Sequence, residues 1–255
     1  MVKQTKKLST KTTVAQINAT DKFPITDANG VVSLVTLATI KAALLDGASF
    51  NAMYDGVFIM YHRKSDNYPL MVKPHKWTSI QSSGEIADGV VIVEGGKCLV
   101  VAPTEAASTL TWSSAAVSGG GTTTTDRVTA INDWAGRANT TSQIGHAECS
   151  SSSYAPGFCN AYSRSNANGQ GLTAGKWWLP SLGEMMMIYA NMTKINYALS
   201  LINGATQLQE DAYWTSTESS ASNAWRLALN DGNAGNYTSK ASFTYRVRAV
   251  SAFIA

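Results

Sequence analysis

An amphipathic segment between Pro180 and Gly204 constrains the fold more than any other part of this sequence. It opens with Ser181-Leu-Gly-Glu184, in which a serine and a glutamate three residues apart can cap the first turn of a helix reciprocally. Apolar residues then recur every three or four positions, and a glycine follows where the helix would stop. The pattern predicts a helix packed on a core. Its inner face would comprise Leu182, Met185, Met186, Tyr189, Met192, Ile195, Leu199 and Ile202.

Short β-prone runs separated by turn residues surround this helix. We predict a second helix at 126–138, capped by Asp126 after the Gly/Thr-rich loop 118–125, and an irregular loop at 150–174. A hairpin turn is predicted at Glu94-Gly-Gly-Lys97. These elements predict an α+β fold with two helices, short antiparallel strands and long loops. The predicted strands are 57–61, 68–72, 89–94, 98–102, 213–217, 224–229 and 243–250.

The first 50 residues differ from the rest of the chain. A turn signal at Asp27-Ala-Asn-Gly30 separates two β-prone stretches, and residues 36–45 have helical apolar spacing. A small β-hairpin followed by a helix offers too few apolar positions for a core of its own. We therefore predict an attachment or oligomerisation segment at 1–50 and a separate domain at 51–255.

Composition excludes several classes of function. With 44% hydrophobic and 15% charged residues the chain is typical of a globular protein, and no stretch approaches the roughly 20 apolar residues of a membrane span. The net charge of +3 forms no basic face, so we expect neither nucleic-acid binding nor membrane insertion. The beginning of the chain also lacks the apolar core of a secretory signal.

The cysteines and histidines match no metal-ligand spacing. Cys149 and Cys159 could form a disulfide or remain reduced buried thiols. His62, His75 and His146 are scattered. We expect no metal and no cofactor.

Four sequence blocks resemble the formylglycine-generating-enzyme type of C-type lectin fold: WWLPSLGE at 177–184, YWTSTE at 213–218, NAW at 223–225 and YRVRAV at 245–250. Within that class, the last blocks resemble the variable proteins of diversity-generating retroelements, which occur in phages and bacteria. The resemblance covers most of residues 51–255, including 89–103 and 159–162. It implies a C-type-lectin-like ligand-binding domain with a variable region at about 213–250.

The same resemblance argues against enzymatic activity. The formylglycine-generating relatives depend on active-site cysteines late in the domain, and this chain has no cysteine after Cys159. No nucleophile elbow, P-loop or zinc helix motif occurs either. The Glu-Pro-Asn type of loop that calcium-dependent lectins use is also absent. We expect a non-enzymatic protein with no catalytic residues.

In variable proteins of this kind, a reverse transcriptase rewrites adenines near the end of the gene. Asn codons ending in a pyrimidine can then become codons for residues such as Ser, Thr, Ala, Gly, Asp, Tyr, Phe or Arg, but not for Lys, Glu, Gln, Met or Trp. Between Ser219 and Tyr245, every residue except Trp225 and Lys240 belongs to the reachable set. We expect these two to be framework residues. A surface rich in small polar residues could also have this composition by chance.

Strand alternation predicts which residues of this region are exposed. Trp225, Leu227 and Leu229 would face the core, whereas Ala224, Arg226, Ala228 and Asn230 would face outward. The predicted ligand-binding residues are Ser220, Ala221, Ser222, Asn223, Arg226, Ala228, Asn230, Asp231, Asn233, Asn236, Tyr237, Ser239, Ala241, Ser242, Phe243 and Tyr245.

Rigid aromatic side chains among small polar ones are typical of adaptable binding surfaces. Tyr237, Arg226, Phe243 and Tyr245 are the candidate anchors, although the last two share parity with Val247 and could equally be core residues. The predicted framework residues are Trp214, Trp225, Glu218, Arg246 and Arg248. Glu218 would form hydrogen bonds with the loop that follows it, and the two arginines would pair with carboxylates or carbonyls.

The segment 1–50 resembles the virion-attachment ends of phage tail proteins. The resemblance implies a homotrimeric receptor-binding protein of a phage tail, located in the virion, that contacts other tail proteins through 1–50 and a bacterial surface protein or glycan through 219–245. Two alternatives remain open. One is a variable protein of the bacterial surface or cytoplasm, and the other is a structural tail or adhesin subunit.

Overall fold

The computed structural model describes residues 22–26, 32–36 and 55–253. The chain divides into two compact units, Met1–Ala52 and Met53–Ala255. In the first unit, β1 (Lys22–Thr26) pairs antiparallel with β2 (Val32–Thr36), and Thr26 lies opposite Val32. The predicted hairpin is therefore confirmed. Apart from Thr36, the helix predicted for 36–45 lies outside the described residues.

The second unit alternates strands and short helices. In chain order these are β3 (Gly56–His62), β4 (Pro69–Val72), a 3-10 turn (Pro74–Lys76), α1 (Trp77–Ser82), β5 (Ala87–Glu94), β6 (Lys97–Val101), α2 (Arg127–Ile131), α3 (Gly136–Gln143), α4 (Ala147–Ser150), α5 (Ala155–Ala161), β7 (Arg164–Ser165), β8 (Gly171–Leu172), α6 (Leu182–Ala190), α7 (Met192–Ser200), β9 (Ala212–Glu218), β10 (Asn223–Ala228), β11 (Ala234–Ser239) and β12 (Val250–Ser251).

A five-stranded antiparallel sheet has the order β12-β6-β5-β3-β4. The apolar run of β5 is buried along nearly its whole length, as expected for a central strand. The predicted turn between β5 and β6 is confirmed. Gly95 and Gly96 adopt φ values of 55° and 76°, the left-handed pair that a tight two-residue hairpin turn requires.

A second antiparallel sheet has the order β11-β10-β9, so β10 is its middle strand. The sequence did not predict β11, which begins with Ala234, Gly235 and Asn236, residue types depleted in strands. Its neighbour β10 supplies the pairing that the local sequence does not favour. The pairing of β10 is irregular between Ala224 and Arg226, on both of its sides.

The helix predicted from Ser181 onward is present, but as two helices. Its capping box is confirmed: Ser181 accepts from the backbone of Glu184, and the Glu184 side chain accepts from the backbone of Ser181. At Asn191 the chain breaks into α6, which contacts β9 and β10, and α7, which contacts β3 and β5. The Asn191 side chain donates to Met187 O and Glu94 Oε2 at the break. The two helices thus pack on different sheets.

The predicted fold class, an α+β C-type-lectin-like domain with two helices, short strands and long loops, is wrong. The described part of the second unit is sheet-rich, and its antiparallel sheets have five, three and two strands. Between Trp77 and Ser200 it contains seven α-helices rather than two. The periodicity of the sequence predicted single long helices where tertiary contacts produce two shorter ones. It also failed to predict strands that form only because a neighbouring strand pairs with them.

Three further predictions require correction. The helix expected at 126–138 is split into α2 and α3 at Asp133, whose carboxylate accepts from Ala135 N at 2.9 Å, although its predicted Asp126 cap is present. The expected loop at 150–174 contains α5 and the β7–β8 pair. Of the expected strand 243–250, Val250 alone belongs to a strand.

Among the described residues, no helix has the length and apolarity needed to cross a membrane.

Candidate functional site

The predicted ligand-binding residues lie on β10, β11 and the loops beside them. We call the exposed and half-buried side chains of residues 220–245 the candidate surface. Tyr237 is its most exposed large side chain, at 84%, and Phe243 is 50% exposed. The other exposed members are Ala221, Ser222, Asn230, Asp231, Asn233, Ala241, Ser242 and Thr244, and the half-buried ones are Ser220, Asn223, Arg226, Ala234, Asn236, Ser239 and Tyr245.

Two residues predicted to face outward do not belong to this surface. Ala228, a predicted ligand-binding residue, is 8% exposed and lies in the middle strand of its sheet. Ala224 is fully buried, since it pairs with Glu218 and Thr238, which are themselves buried. The predicted core residues Trp225, Leu227 and Leu229 are buried as expected.

An aromatic cluster connects the candidate surface with the interior. The Phe243 and Tyr245 rings are nearly parallel, with centroids 6.2 Å apart, and Tyr245 meets the buried Trp214 edge-on at 4.8 Å. The Arg226 guanidinium lies 5.9 Å from the centre of the Tyr245 ring, and its Nη1 donates to Asn233 O at 3.3 Å. These contacts fix the orientation of Tyr245 and leave half of Phe243 exposed.

A buried ion pair lies at the base of the candidate surface. The Lys240 ammonium and the Glu218 carboxylate are in contact, and both side chains are fully buried. Lys240 Nζ also donates to Val117 O at 2.7 Å and lies 4.3 Å from the centre of the Trp112 ring. Burial lowers the pKa of Lys240, and the Glu218 carboxylate opposes that shift. The pair is thus surrounded by further polar partners, as a buried charge requires.

Glu218 was expected to bond the loop that follows it, but it bonds the loop at 117–124. Gly119 N and Gly121 N donate to its carboxylate at 2.9 Å and 3.4 Å. A side chain on Gly119 would approach Glu218 Oε1 to 2.8 Å, so the loop needs glycine here. The Gly/Thr-rich composition was the visible signal, although it did not indicate which carboxylate the loop would enclose.

Backbone contacts attach the loops of the candidate surface to this buried base. Val117 N donates to Ala221 O at 2.9 Å, and Lys240 N donates to Ser222 O at 3.0 Å. The Ser219 hydroxyl donates to Asn236 O across the sheet. These backbone contacts do not depend on the side chains between them, although the Ser220 hydroxyl also holds its loop by accepting from Asn223 N at 3.1 Å.

The predicted framework role of the two arginines is confirmed. Arg246 pairs with Glu105 at 2.6 Å and with Asp211 at 3.0 Å. The buried Arg248 donates to Ala102 O at 3.1 Å and reaches the same Glu105 at 3.2 Å. The sequence did not identify Glu105, because its partners lie more than a hundred residues away along the chain.

No cysteine or histidine is among the residues of the candidate surface, although Cys149 interacts electrostatically with the buried Lys240 and Glu218. All three cysteines are free, and burial raises the pKa of the Cys149 thiol to about 12, which makes it a poor nucleophile. His62 pairs with the buried Asp88 at 2.7 Å, between the neighbouring strands β3 and β5. Among the described residues, no three His, Cys, Asp or Glu side chains form a group that could hold a metal ion.

Comparisons with known proteins leave the family of the chain open. No protein-family model matches it, and no curated protein matches it. A solved fimbrial protein from Bacteroides ovatus is similar over 60% of this chain, with 17% sequence identity and a TM-score of 0.32. The match spans 35% of that fimbrial chain. A TM-score this low does not indicate a shared fold.

Proposed function

We propose that this protein binds a macromolecular ligand through the candidate surface, without catalysis, and that the surface is diversified by a retroelement. One observation carries the proposal. Between Ser219 and Tyr245, the two residues that adenine mutagenesis of Asn codons cannot produce are Trp225 and Lys240, and both are buried framework residues. The exposed positions of the same segment all hold reachable residue types.

The physical character of the surface supports this reading. Tyr237 and Phe243 offer rigid apolar contact area, and the surrounding serines and asparagines offer adaptable hydrogen bonds. The ion pair of Lys240 and Glu218 and the backbone contacts of Ala221 and Ser222 hold the loops independently of those side chains. A scaffold of this kind tolerates many sequences on one surface.

The biological setting we propose is phage attachment to a bacterial host. The protein would be a trimer in the phage tail, would contact other tail proteins through 1–50 and would bind a bacterial surface protein or glycan. Trimerisation would strengthen weak individual sites through multivalency. A variable protein of the bacterial surface or cytoplasm is the second candidate, because the observation on Trp225 and Lys240 applies to it equally.

The binding proposal is tested with fluorescently labelled protein on a panel of bacterial strains, scored by flow cytometry. Tyr237→Ala should abolish or strongly reduce binding to any strain that the parent labels, while its melting temperature stays unchanged. Tyr197→Ala is the matched control, because Tyr197 is also exposed, at 55%, but lies on α7. If both variants lose binding equally, or if neither loses it, the proposed surface is wrong.

Diversification and origin need separate measurements. Sequencing beside the 3′ end of the gene should find a near-copy of that end and a reverse transcriptase gene. Mass spectrometry of purified virions should detect the protein if it belongs to a phage tail. Detection on cells but not in virions would favour the bacterial alternative.

A further inference from the structure

A groove centred on Trp134 shares no lining residue with the candidate surface. Trp134 is 38% exposed on the loop between α2 and α3, and it borders three adjoining cavities. The cavity formed with α6 and the β5–β6 turn has a volume of about 400 Å³. Its apolar lining includes Ile131, Met186 and Met187. A partly exposed tryptophan beside methionines offers a soft, adaptable apolar wall.

Two cations border the cavities around this tryptophan. The Lys97 ammonium lies 5.0 Å from the centre of the Trp134 ring. The Arg137 guanidinium lies 5.8 Å from the centre of the neighbouring Trp178 ring. Both side chains are exposed and border the cavities. Among the described residues, neither forms an ion pair with a carboxylate. The groove therefore presents positive charge beside an apolar wall.

The carboxylates nearby do not cancel this charge. Glu94 borders the cavity lined by Met186 and lies opposite Lys97 in the β5–β6 hairpin, and its Oε2 accepts from Asn191 Nδ2. Glu184 borders the smallest cavity and is buried, with Oε2 accepting from Trp178 Nε1 at 3.1 Å and from Ser181 N at 2.9 Å. Among the residues that border these cavities, the exposed cations Lys97 and Arg137 thus outnumber the one exposed carboxylate, Glu94, and leave net positive charge for an anion.

We propose that the groove around Trp134 binds a small aromatic carboxylate. Its ring lies against Trp134 and Met186, and its carboxylate lies beside Lys97. Ring burial supplies most of the affinity, because a partly exposed ion pair contributes little in water. The charge supplies selectivity, since an uncharged or cationic analogue of the same shape gains nothing from Lys97. This site is independent of the proposed function of the candidate surface.

The test uses 2-naphthoate with the full-length protein and follows the tryptophan indole N–H signals by NMR. The chain has seven tryptophans, and the Trp134 signal is the one missing from Trp134→Phe. We expect 2-naphthoate to shift this signal saturably. The alcohol 2-naphthylmethanol should bind about fivefold more weakly, which corresponds to about 1 kcal/mol. Absence of a saturable shift, or equal binding of the alcohol, would overturn the proposal.

Two variants locate the site. Lys97→Met keeps the apolar stem and removes the charge, so it should weaken 2-naphthoate binding about fivefold and leave binding of the alcohol unchanged. Lys73→Met is the matched control, because the Lys73 ammonium also lies over an aromatic ring, 4.1 Å from the centre of the Phe58 ring, but does not border the groove. Equal effects of the two substitutions would refute the role of Lys97. Both lysines are exposed, so folding should be preserved.

Discussion

Replacing Lys240 with methionine should destabilise the second unit strongly. The substitution removes the ammonium that contacts Glu218 and donates to Val117 O at 2.7 Å, and it ends the contact with the Trp112 ring. The fully buried Glu218 carboxylate then keeps backbone donors, Gly119 N at 2.9 Å and Gly121 N at 3.4 Å, but loses its opposite charge. An unpaired buried charge is more costly than the pair is favourable.

The expected loss is about 4 kcal/mol, because removing one partner of a buried pair typically costs about 3–5 kcal/mol. With a urea dependence of about 2 kcal/mol per molar, the unfolding midpoint should fall by about 2 M. The double variant Lys240→Met with Glu218→Gln should recover part of this loss. In that variant no charge remains unpaired, and the amide oxygen can still accept from Gly119 N.

Urea unfolding followed by tryptophan fluorescence measures these changes. Arg63→Met serves as the control, because Arg63 and Asp66 form an exposed pair, whose loss should cost less than about 1 kcal/mol. A Lys240→Met variant as stable as this control would refute the assignment of a buried, charged pair. A double variant no more stable than the single one would show that the unpaired charge is not the cause.

Three other predictions concern the core, the pH dependence and the division of the chain. Trp225→Ala should cost about 3–5 kcal/mol through the cavity it leaves, and a variant that melts like the parent would contradict the buried position of Trp225. Burial raises the pKa of Glu184 from 4.5 to about 7, so its contribution to stability is complete below pH 4.5 and is lost as the pH rises through about 7. From pH 5 to pH 8, the free energy of unfolding measured by urea titration should therefore fall by about 2–3 kcal/mol more in the parent than in Glu184→Gln, and identical pH profiles would disprove this. A fragment of residues 53–255 should fold and melt cooperatively, because the described core cluster lies within it, whereas insoluble or non-cooperative material would show that the boundary is misplaced.

Short-range features of the structure were predictable from the sequence because their causes lie within a few residues. The Ser181–Glu184 capping box, the Asp126 cap and the Gly95–Gly96 turn each depend on local backbone geometry. The burial of Trp225 and Leu227 follows from strand alternation and hydrophobicity alone. The pairing of Arg246 and Arg248 was also expected, since a guanidinium near a core needs acceptors, although Glu105 itself was not identified.

Tertiary contacts decided the remaining features. Periodicity continues through Asn191, but packing on two different sheets divides the helix there. Alternation placed Ala224 outward, yet irregular pairing with Glu218 and Thr238 buries it. Strand alternation in the sequence did not decide whether the Phe243 side chain is buried or exposed. In the structure Phe243 lies outside any strand and stacks on Tyr245, which packs on Trp214, and this position leaves half of its ring exposed. The sequence thus determined which residues can lie in a core or a turn, whereas long-range pairing determined the sheets, the fold class and the exposed set, because those depend on contacts between residues far apart in the chain.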